Sequence, residues 1–263
     1  MTFLQIWLQA LLVIVVLMTL IWIVSVIIKN VSIVDLFWGP GFVLSAAYYF
    51  LKTAGSGDRK ILLILLVSVW GIRLALHLAM RNLGKGEDFR YREFRSKYGE
   101  KRYWWISFFQ TFLLQGMLMW IISLPLLGAM YYSPEKAPGI IDYLAIAVWI
   151  TGFVFEAVGD MQLTSFRSDP LNKGKVLDTG LWKYTRHPNY FGDSAVWWAY
   201  GLFSIAAGGY IAAIGSLIMT ALIIKVSGVA LLEKSLSTTK PQYRDYIEKT
   251  SAFFPLPPRK LKK

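Results

Sequence analysis

Long apolar runs alternate along the chain with shorter polar stretches that are rich in lysine and arginine. About 20 consecutive apolar residues let an α-helix cross the hydrocarbon core of a bilayer. Seven runs reach or approach this length, and each predicts a transmembrane helix. They cover residues 4–28, 33–51, 61 to about 81, 105–131, 140–158, 189–207 and 210–232. The pattern predicts an all-α, polytopic membrane protein whose 263 residues form a single domain.

Proline and glycine mark where these helices bend or begin. Gly39 and Pro40 loosen the first turns of the second helix, and Pro125 predicts a kink in the fourth. Pro188 fits the first turn of the sixth helix, where its missing N–H costs nothing. The fifth helix carries polar residues at four-residue spacing beyond residue 158, which predicts a polar extension towards Arg167.

The net charge of +12 comes from 28 lysine and arginine residues against 16 acidic residues. Because this excess lies between and after the apolar runs, lipid headgroups and positive-inside topology account for it, and no nucleic-acid partner is expected. If residues 81–103, 159–188 and the tail all lie in the cytoplasm, the chain must cross the membrane seven times and its amino terminus must lie outside. Lys52, Arg59 and Lys60 oppose this orientation. The compact loops favour a bacterial inner membrane.

The chain has no cysteine and only two histidines. Disulfides, thiolate nucleophiles and thiolate metal sites are therefore excluded, and no metal centre is expected. The first apolar run begins almost at Met1, lacks a basic leader and is longer than the apolar region of a signal peptide. We interpret it as a retained helix.

The stretch from Gly180 to Asp193 concentrates polar and aromatic side chains where a loop enters an apolar helix. Asn189 and Asp193 lie four residues apart and share one helix face. Interfacial lipid contact can explain Lys183, Tyr184 and Arg186 but not this pair, because polar groups at membrane depth are costly and normally mark a site. The stretch therefore predicts a functional site. Its other candidate side chains are Arg186, His187 and Tyr190.

Further polar side chains lie within the predicted helices. Arg73, His77 and Arg81 recur every four residues and form one stripe on the third helix. Ion pairing explains Arg73 as well as ligand binding does, whereas Arg81 lies near the surface and suits phosphate recognition. Asp35, near the start of the second helix, is expected to be functional or ion-paired.

Carboxylates on the fifth and last helices add to these candidates. Glu156, Asp160 and Arg167 follow one face of the fifth helix, where the carboxylates suit ribose hydroxyls or a carboxamide and the arginine suits a phosphate. Capping of the helix end is the simpler alternative. Lys225 and Glu233 lie eight residues apart on one face of the last helix, where Lys225 can also extend its ammonium to the interface.

Four segments, residues 35–42, 81–91, 180–193 and 243–246, carry a resemblance to the DUF1295 family of the steroid 5-alpha-reductase superfamily. The similarity spans nearly the whole chain. The resemblance implies seven helices around a cytoplasmic cofactor cavity, and hydride transfer from NADPH to the β carbon of an enone-type lipid. In the family, a carboxylic acid and a tyrosine polarise the ketone of the substrate.

The resemblance also implies roles for single residues. The positions that match the family's cofactor-binding residues are Arg81, Asp160, Arg167, Asn189 and Asp193. The polar neighbours that we assign to the same cofactor site are Glu156, Tyr184, Arg186, His187, Tyr190 and Glu233. The expected catalytic residues are Asp35, Tyr91 and His77.

Two positions depart from the family's pattern. Val34-Asp35 stands where the family has a Gln-Glu pair, and Leu78 follows His77 where a tyrosine is expected. Asp35 then takes the place of the catalytic glutamate, and Tyr91 is the candidate for the tyrosine. The departures weigh against a steroid and favour another hydrophobic small molecule reached from the bilayer.

Two other functions fit the same residues. The motif around His187 is also similar to that of isoprenylcysteine-type methyltransferases, in which S-adenosylmethionine would occupy the same loops. Its sulfonium would favour aromatic and acidic neighbours such as Trp182, Tyr190, Glu156 and Glu233. The third function is a non-catalytic lipid-binding protein. The oligomeric state is left open.

Overall fold

The computed structural model describes residues 1–55, 57–82, 84–132, 137–227, 229 and 243–259. The described chain is all-α, and its one isolated β-bridge joins Thr185 and Ser251. The α-helices are α1 (Phe3–Ile27), α2 (Ile33–Leu36), α3 (Trp38–Lys52), α4 (Asp58–Asn82), α5 (Phe89–Tyr98), α6 (Glu100–Ser107), α7 (Leu114–Ile122), α8 (Leu124–Tyr131), α9 (Ile140–Ser168), α10 (Pro188–Ala207), α11 (Ile214–Ala221) and α12 (Tyr243–Lys249).

Short helical segments of other types connect several of these helices. Two π-helical segments, Phe108–Leu113 and Leu222–Ser227, follow α6 and α11 directly. Three 3₁₀ turns, Pro170–Asn172, Gly180–Lys183 and Ile211–Ala213, lie in the connections on either side of α10.

Four helical stretches among the described residues are long and apolar enough to cross a membrane. They are Phe3–Ile27, Asp58–Asn82, Glu100–Tyr131 and Ile140–Ser168. The chain is therefore an integral membrane protein. The second predicted run is divided at Phe37 into α2 and α3, and the sixth forms α10. The described part of the seventh includes a 3₁₀ turn, α11 and a π-helical segment. Seven spans stay a prediction.

The predicted helix boundaries that rest on proline and polar spacing are confirmed. α10 begins at Pro188, and the helix preceding Pro125 ends at Ile122, with Pro125 in the first turn of α8. α9 continues without a break to Ser168 and so includes the polar extension beyond Val158. These boundaries follow from local chemistry, because proline cannot continue a helix through its interior.

The chain divides into two compact units. The first contains Met1–Pro138 and Phe203–Gly215, and the second contains Gly139–Leu202 and Ser216–Lys263. In the first unit, glycines allow α3 and α4 to approach closely. A Cβ built on Gly39 would lie 2.2 Å from the carbonyl oxygen of Gly71, so a larger residue at this crossing would force the backbones apart.

Lys60 stabilises the connection between α3 and α4 in the first unit. Its side chain is buried, and its ammonium donates to the carbonyl oxygens of Phe50, Thr53, Ala54 and Gly55 at 2.6–3.3 Å. The last carbonyls of a helix lack partners inside the helix, so a lysine here satisfies them. The Lys60 charge, which opposed the orientation predicted from the sequence, is thus satisfied by carbonyl groups of the protein itself.

In the second unit, glycines hold α9 against α10. A Cβ on Gly192 would lie 2.3 Å from the backbone nitrogen of Glu156, and one on Gly152 would lie 2.7 Å from the carbonyl oxygen of Gly192. A Cβ on Gly159 would likewise lie 3.2 Å from Cγ of Pro188. This close packing brings the polar ends of the two helices together.

Candidate functional site

In the first unit, two of the three predicted catalytic residues meet. The Tyr91 hydroxyl donates a hydrogen bond to Asp35 Oδ1 at 2.7 Å, and Arg90 Nη2 donates to Asp35 Oδ2 at 2.9 Å. Gln115 Nε2 donates to the Tyr91 oxygen at 3.4 Å. We call these four residues, Asp35, Arg90, Tyr91 and Gln115, the Asp35 cluster. Asp35 is thus ion-paired, as expected, and its partner is Arg90.

A second layer of bonds fixes α5, which carries Arg90 and Tyr91. Asp88 caps the helix, because its side chain accepts from Arg90 N at 3.0 Å and its own N–H donates to Ser32 Oγ at 2.6 Å. Glu87 accepts two bonds from Arg95, at 2.8 and 2.9 Å, and one from the backbone N–H of Val31. The α5 segment is therefore tied to the residues just before Asp35.

The electrostatics of the cluster favour a protonated tyrosine. Burial raises the pKa of Tyr91 above its ordinary value, and the negative charge of Asp35 raises it further. Burial would lower the pKa of Arg90, but its hydrogen bond with Asp88 and the charge of Asp35 raise it above the ordinary value. At neutral pH the cluster therefore contains a guanidinium and an un-ionised phenol.

The Tyr91 side chain is almost fully enclosed, whereas its charged neighbours are partly exposed. Tyr91 is 5% exposed, while the side chains of Asp35 and Arg90 are 16% and 43% exposed. The guanidinium also lies 5.3 Å from the centre of the Tyr91 ring. A molecule reaching this cluster would meet two charged groups before the hydroxyl.

The stripe of three basic residues lies on α4 in the first unit. Arg73 and His77 are half-buried and interact with other groups, and Arg81 is exposed. Arg81 Nε donates to Asn82 Oδ1 at 3.0 Å. None of the three residues is a hydrogen-bond partner of Asp35 or Tyr91 within the described part of the chain. The catalytic role of His77 stays a prediction.

In the second unit, α9 and α10 bring the predicted acids and amide together. Asn189 Nδ2 donates to Asp160 Oδ1 at 3.0 Å. Glu156 lies one turn before Asp160 and both are buried, while Asp193 follows Asn189 one turn later on α10. We call Glu156, Asp160, Asn189 and Asp193 the Asp160 cluster. The glycine contacts between α9 and α10 explain why these four residues share one region.

The loop that precedes α10 is held by the carboxy-terminal segment. Arg186 is buried, and its guanidinium donates to the carbonyl oxygens of Ile247, at 3.1 Å, and Thr250. It therefore satisfies carbonyls at the end of α12. The Tyr246 hydroxyl donates a hydrogen bond to the carbonyl oxygen of Trp182. The indole N–H of Trp182 donates in turn to the carbonyl oxygen of Gly159 at 3.2 Å. Arg186 thus has a structural role that the sequence did not suggest.

The other predicted cofactor residues differ in exposure. His187 is buried and stacks on the half-buried Tyr190 with 5.6 Å between ring centres. Tyr184 is 43% exposed, and its carbonyl accepts a hydrogen bond from Leu256 N. Arg167 is exposed at the end of α9. Glu233 lies outside the described residues. The assignment of all of these residues to a cofactor stays a prediction.

Sequence reasoning passed over two members of the Asp35 cluster, Arg90 and Gln115. Arg90 lies inside the segment 81–91 that carries the family resemblance, but no spacing rule connects it to Asp35, which lies 55 positions earlier. Gln115 had a usable signal, because it is an amide inside an apolar span, where polar side chains normally mark a site.

The chemistry of the Asp160 cluster fits the polar parts of a dinucleotide. Buried carboxylates accept hydrogen bonds from ribose hydroxyls or a carboxamide NH₂, and an amide can donate or accept. Exposed cations lie at the end of α9 and in the loop that follows it, and these suit phosphates. They are Arg167, Lys173, Lys175 and Lys183. The acids and aromatic rings would equally suit the sulfonium of S-adenosylmethionine.

Comparisons with known proteins agree with the resemblance seen in the sequence. The family described as "Protein of unknown function (DUF1295)" matches residues 21–250. A Schizosaccharomyces pombe protein named "Uncharacterized protein C594.04c" is 27% identical over 260 residues, which cover 89% of this chain and 75% of that protein. The "Probable O-methyltransferase ustE" of Ustilaginoidea virens is 34% identical over 84 residues, 32% of this chain and 26% of that protein. No solved structure matches the chain at a comparable level of significance.

Proposed function

The chain belongs to the DUF1295 family, which lies in the steroid 5-alpha-reductase-like superfamily, and from this membership we propose that it is an NADPH-dependent membrane reductase. Its substrate is an enone-type lipid, and the reaction saturates the carbon–carbon double bond. The Asp160 cluster binds the cofactor, and the Asp35 cluster acts on the carbonyl group of the substrate.

The observation that carries this proposal is the hydrogen bond between Tyr91 and Asp35. Reduction of an enone builds negative charge on the carbonyl oxygen, so the enzyme needs a fixed hydrogen-bond donor there. An acid and a tyrosine are the pair that the family resemblance calls for. Although these residues lie 56 positions apart, they are in direct contact, and Gln115 contacts the same hydroxyl.

The protonation state of the pair decides how it can act. Tyr91 has one hydroxyl hydrogen, and it is directed at Asp35. To polarise a substrate carbonyl, Tyr91 turns this hydrogen towards the substrate oxygen while its own oxygen still accepts from Gln115. The Arg90 guanidinium stays bonded to Asp35 and prevents a lone carboxylate from being left in a low-dielectric site.

The residues of the Asp160 cluster have a different task, which is binding. When bound, NADPH would supply the hydride to the β carbon, and a proton from solvent would complete the reduction at the α carbon. Asp160 and Glu156 accept hydrogen bonds from hydroxyl or carboxamide donors, and Asn189, oriented by Asp160, offers its carbonyl or its second N–H. Burial strengthens these bonds, because water does not compete for them.

The test is a parallel titration of the detergent-purified protein with NADPH, NADH and S-adenosylmethionine, measured by isothermal calorimetry. We expect selective binding of NADPH. Asp160→Asn should raise the Kd at least about tenfold, since a hydrogen bond to a charged group is lost. Asp178→Asn, the same change at an exposed loop position of the second unit, is the control and should bind NADPH like the wild type.

A methyltransferase is the second candidate, because 84 residues of the chain are 34% identical to a probable O-methyltransferase. In that case S-adenosylmethionine binds selectively and the nucleotides do not, which would overturn the reductase proposal. If a folded sample binds none of the three compounds, the third function, non-catalytic lipid binding, takes its place.

A further inference from the structure

A cavity of about 580 Å³ lies in the first unit, where the end of α1 meets α5 and α6. Its volume falls within the range of about 300–1,000 Å³ that small-molecule sites occupy. None of the predicted catalytic or cofactor-binding residues lines it. No residue of the Asp35 cluster, which lies in the same unit, belongs to its lining.

The cationic lining of this cavity suits an anion. Lys29, Arg95 and Lys101 line it, together with one carboxylate, that of Glu100. Arg95 is engaged by Glu87 through two bonds, so its charge is already balanced. Within the described residues, no carboxylate lies within ion-pair distance of the Lys29 or Lys101 ammonium.

Two serine hydroxyls and an indole also line the cavity, beside Val26, Val31 and Tyr103. Ser25 and Ser107 both donate to carbonyls one turn earlier, at 2.7 and 2.8 Å, so their oxygens can still accept hydrogen bonds. Trp104 is half-exposed and stacks on Trp22, which donates to the Trp104 carbonyl at 2.8 Å. The cavity thus has an aromatic edge beside its cationic part.

The position along the chain points to the membrane interface. Lys29 follows α1, which is long and apolar enough to span a bilayer, by two residues. Trp104 and Lys101 lie in the first two turns of the stretch Glu100–Tyr131, which also qualifies as a span. Lysine and tryptophan at the ends of spans lie at the level of the lipid headgroups.

We propose that this cavity binds the phosphate of an anionic phospholipid headgroup. Lys29 and Lys101 bind the phosphate oxygens, Arg95 is held in place beside them by Glu87, and Trp104 packs against the glycerol region. A headgroup with its glycerol backbone fits a cavity of this volume better than a free phosphate ion does. The proposal does not depend on which reaction the protein catalyses.

The experiment is a native mass-spectrometry titration of the detergent-purified full-length chain with dioctanoyl phosphatidylglycerol. Parallel arms use dioctanoyl phosphatidylcholine, whose headgroup has no net charge, and inorganic phosphate. The double variant Lys29→Gln with Lys101→Gln removes both ammoniums. The matched control, Lys85→Gln with Lys97→Gln, removes two exposed lysines that do not line the cavity.

We expect phosphatidylglycerol to bind the wild type and the control at least about tenfold more tightly than phosphatidylcholine. The Lys29/Lys101 variant should lose this preference, and the single Lys101→Gln variant should lose part of it. Equal binding of both lipids overturns the proposal, as does an equal loss in the control. If inorganic phosphate displaces the lipid at similar concentrations, the ligand is a soluble phosphate and the lipid assignment is wrong.

Discussion

The Tyr91 hydroxyl lies among three polar side chains, those of Asp35, Gln115 and, across its ring, Arg90. Burial and the charge of Asp35 raise its pKa, so the hydroxyl stays protonated at neutral pH and can donate a hydrogen bond. The sequence fixes neither the acceptor of that hydrogen, Asp35, nor the donor to the hydroxyl oxygen, Gln115. Removing the Tyr91 hydroxyl oxygen alone therefore tests the proposed chemistry.

Replacing Tyr91 by phenylalanine should lower kcat for NADPH-dependent enone reduction by about 100-fold, the scale of losing one donor to a developing oxyanion. The Kd for NADPH should change by less than about twofold, because the hydroxyl is assigned to the substrate. Steady-state kinetics and calorimetry on the same sample measure both.

Tyr98→Phe is the matched control for this variant, since Tyr98 lies on the same helix, α5, and is not bonded to Asp35. It should keep wild-type kcat. A Tyr91→Phe protein that retains full turnover would remove Tyr91 from the reaction.

Asp88 gives a prediction about acid stability. Burial would raise its pKa, but the hydrogen bonds from the side chain and backbone of Arg90 lower it below the ordinary value. A lowered folded pKa stabilises the protein above the unfolded value of about 3.9 and loses this effect as the pH falls through the folded value. Asp88→Asn should therefore lower Tm by a few degrees at neutral pH, and less below about pH 4.

Asparagine also caps helices well, so the Asp88→Asn variant isolates the charge. Thermal unfolding in detergent at several pH values measures the difference in Tm from the wild type. A difference that does not change with pH would mean that the charge of Asp88 contributes nothing to stability.

At the scale of helices, the Asp160 cluster depends on how closely α9 and α10 approach. Gly192 faces the backbone of Glu156, and Gly152 faces the backbone of α10. Where two backbones touch, an added methyl group has no flexible side chain to push aside. The hydrogen bond from Asn189 to Asp160 therefore rests on glycines that make no polar contact themselves.

Gly192→Ala should destabilise the protein by about 1–3 kcal/mol, the usual cost of overpacking, and should weaken NADPH binding along with stability. Gly139→Ala is the control, because a Cβ there would lie 4.0 Å from its nearest neighbour, the Asp142 side chain. Unfolding in detergent and the nucleotide titration measure the two effects. Wild-type stability in Gly192→Ala would contradict the packing described for α9 and α10.

Lys60 is a second element-scale feature, since its ammonium binds four carbonyls around the end of α3. Lys60→Met keeps the volume but leaves these carbonyls without their donor, which should cost roughly 2 kcal/mol or more. Lys52→Met, at an exposed position on the same helix end, should cost far less. Equal Tm values for the two variants would show that Lys60 does not stabilise the end of α3.

For the whole molecule, the number of spans decides which loops share a side of the membrane. Seven spans place residue 2 outside and residues 92 and 173 inside. If only the four long apolar helices cross, residues 2, 92 and 173 lie on one side. The two topologies therefore differ at positions that are exposed and can be labelled.

The chain has no cysteine, so single-cysteine variants give an unambiguous label. In intact cells, Thr2→Cys should react with an impermeant maleimide, whereas Arg92→Cys and Lys173→Cys should react only after lysis. The same reactivity at all three positions would exclude the seven-span topology.

The sequence by itself determined the class of the protein and most of its helices. Apolar length predicted membrane insertion, and Pro188 and Pro125 marked a helix start and a break where the structure has them. These features are local, because they depend on residues within one or two helical turns. The seven-span count is not determined in this way, since α3 and α11 fall below the length that marks a span.

Only the tertiary structure decided which polar residues meet. Asp35 and Tyr91 were separate candidates, and their contact depends on Glu87, Asp88 and Arg95 tying α5 to the start of α2. Arg186 was expected to bind a cofactor, and the structure shows its guanidinium on the carbonyls at the end of α12. Periodicity fixes the face of a helix on which a side chain lies. Which residues that face contacts depends on how closely backbone segments far apart in sequence approach each other. No local pattern contains this information.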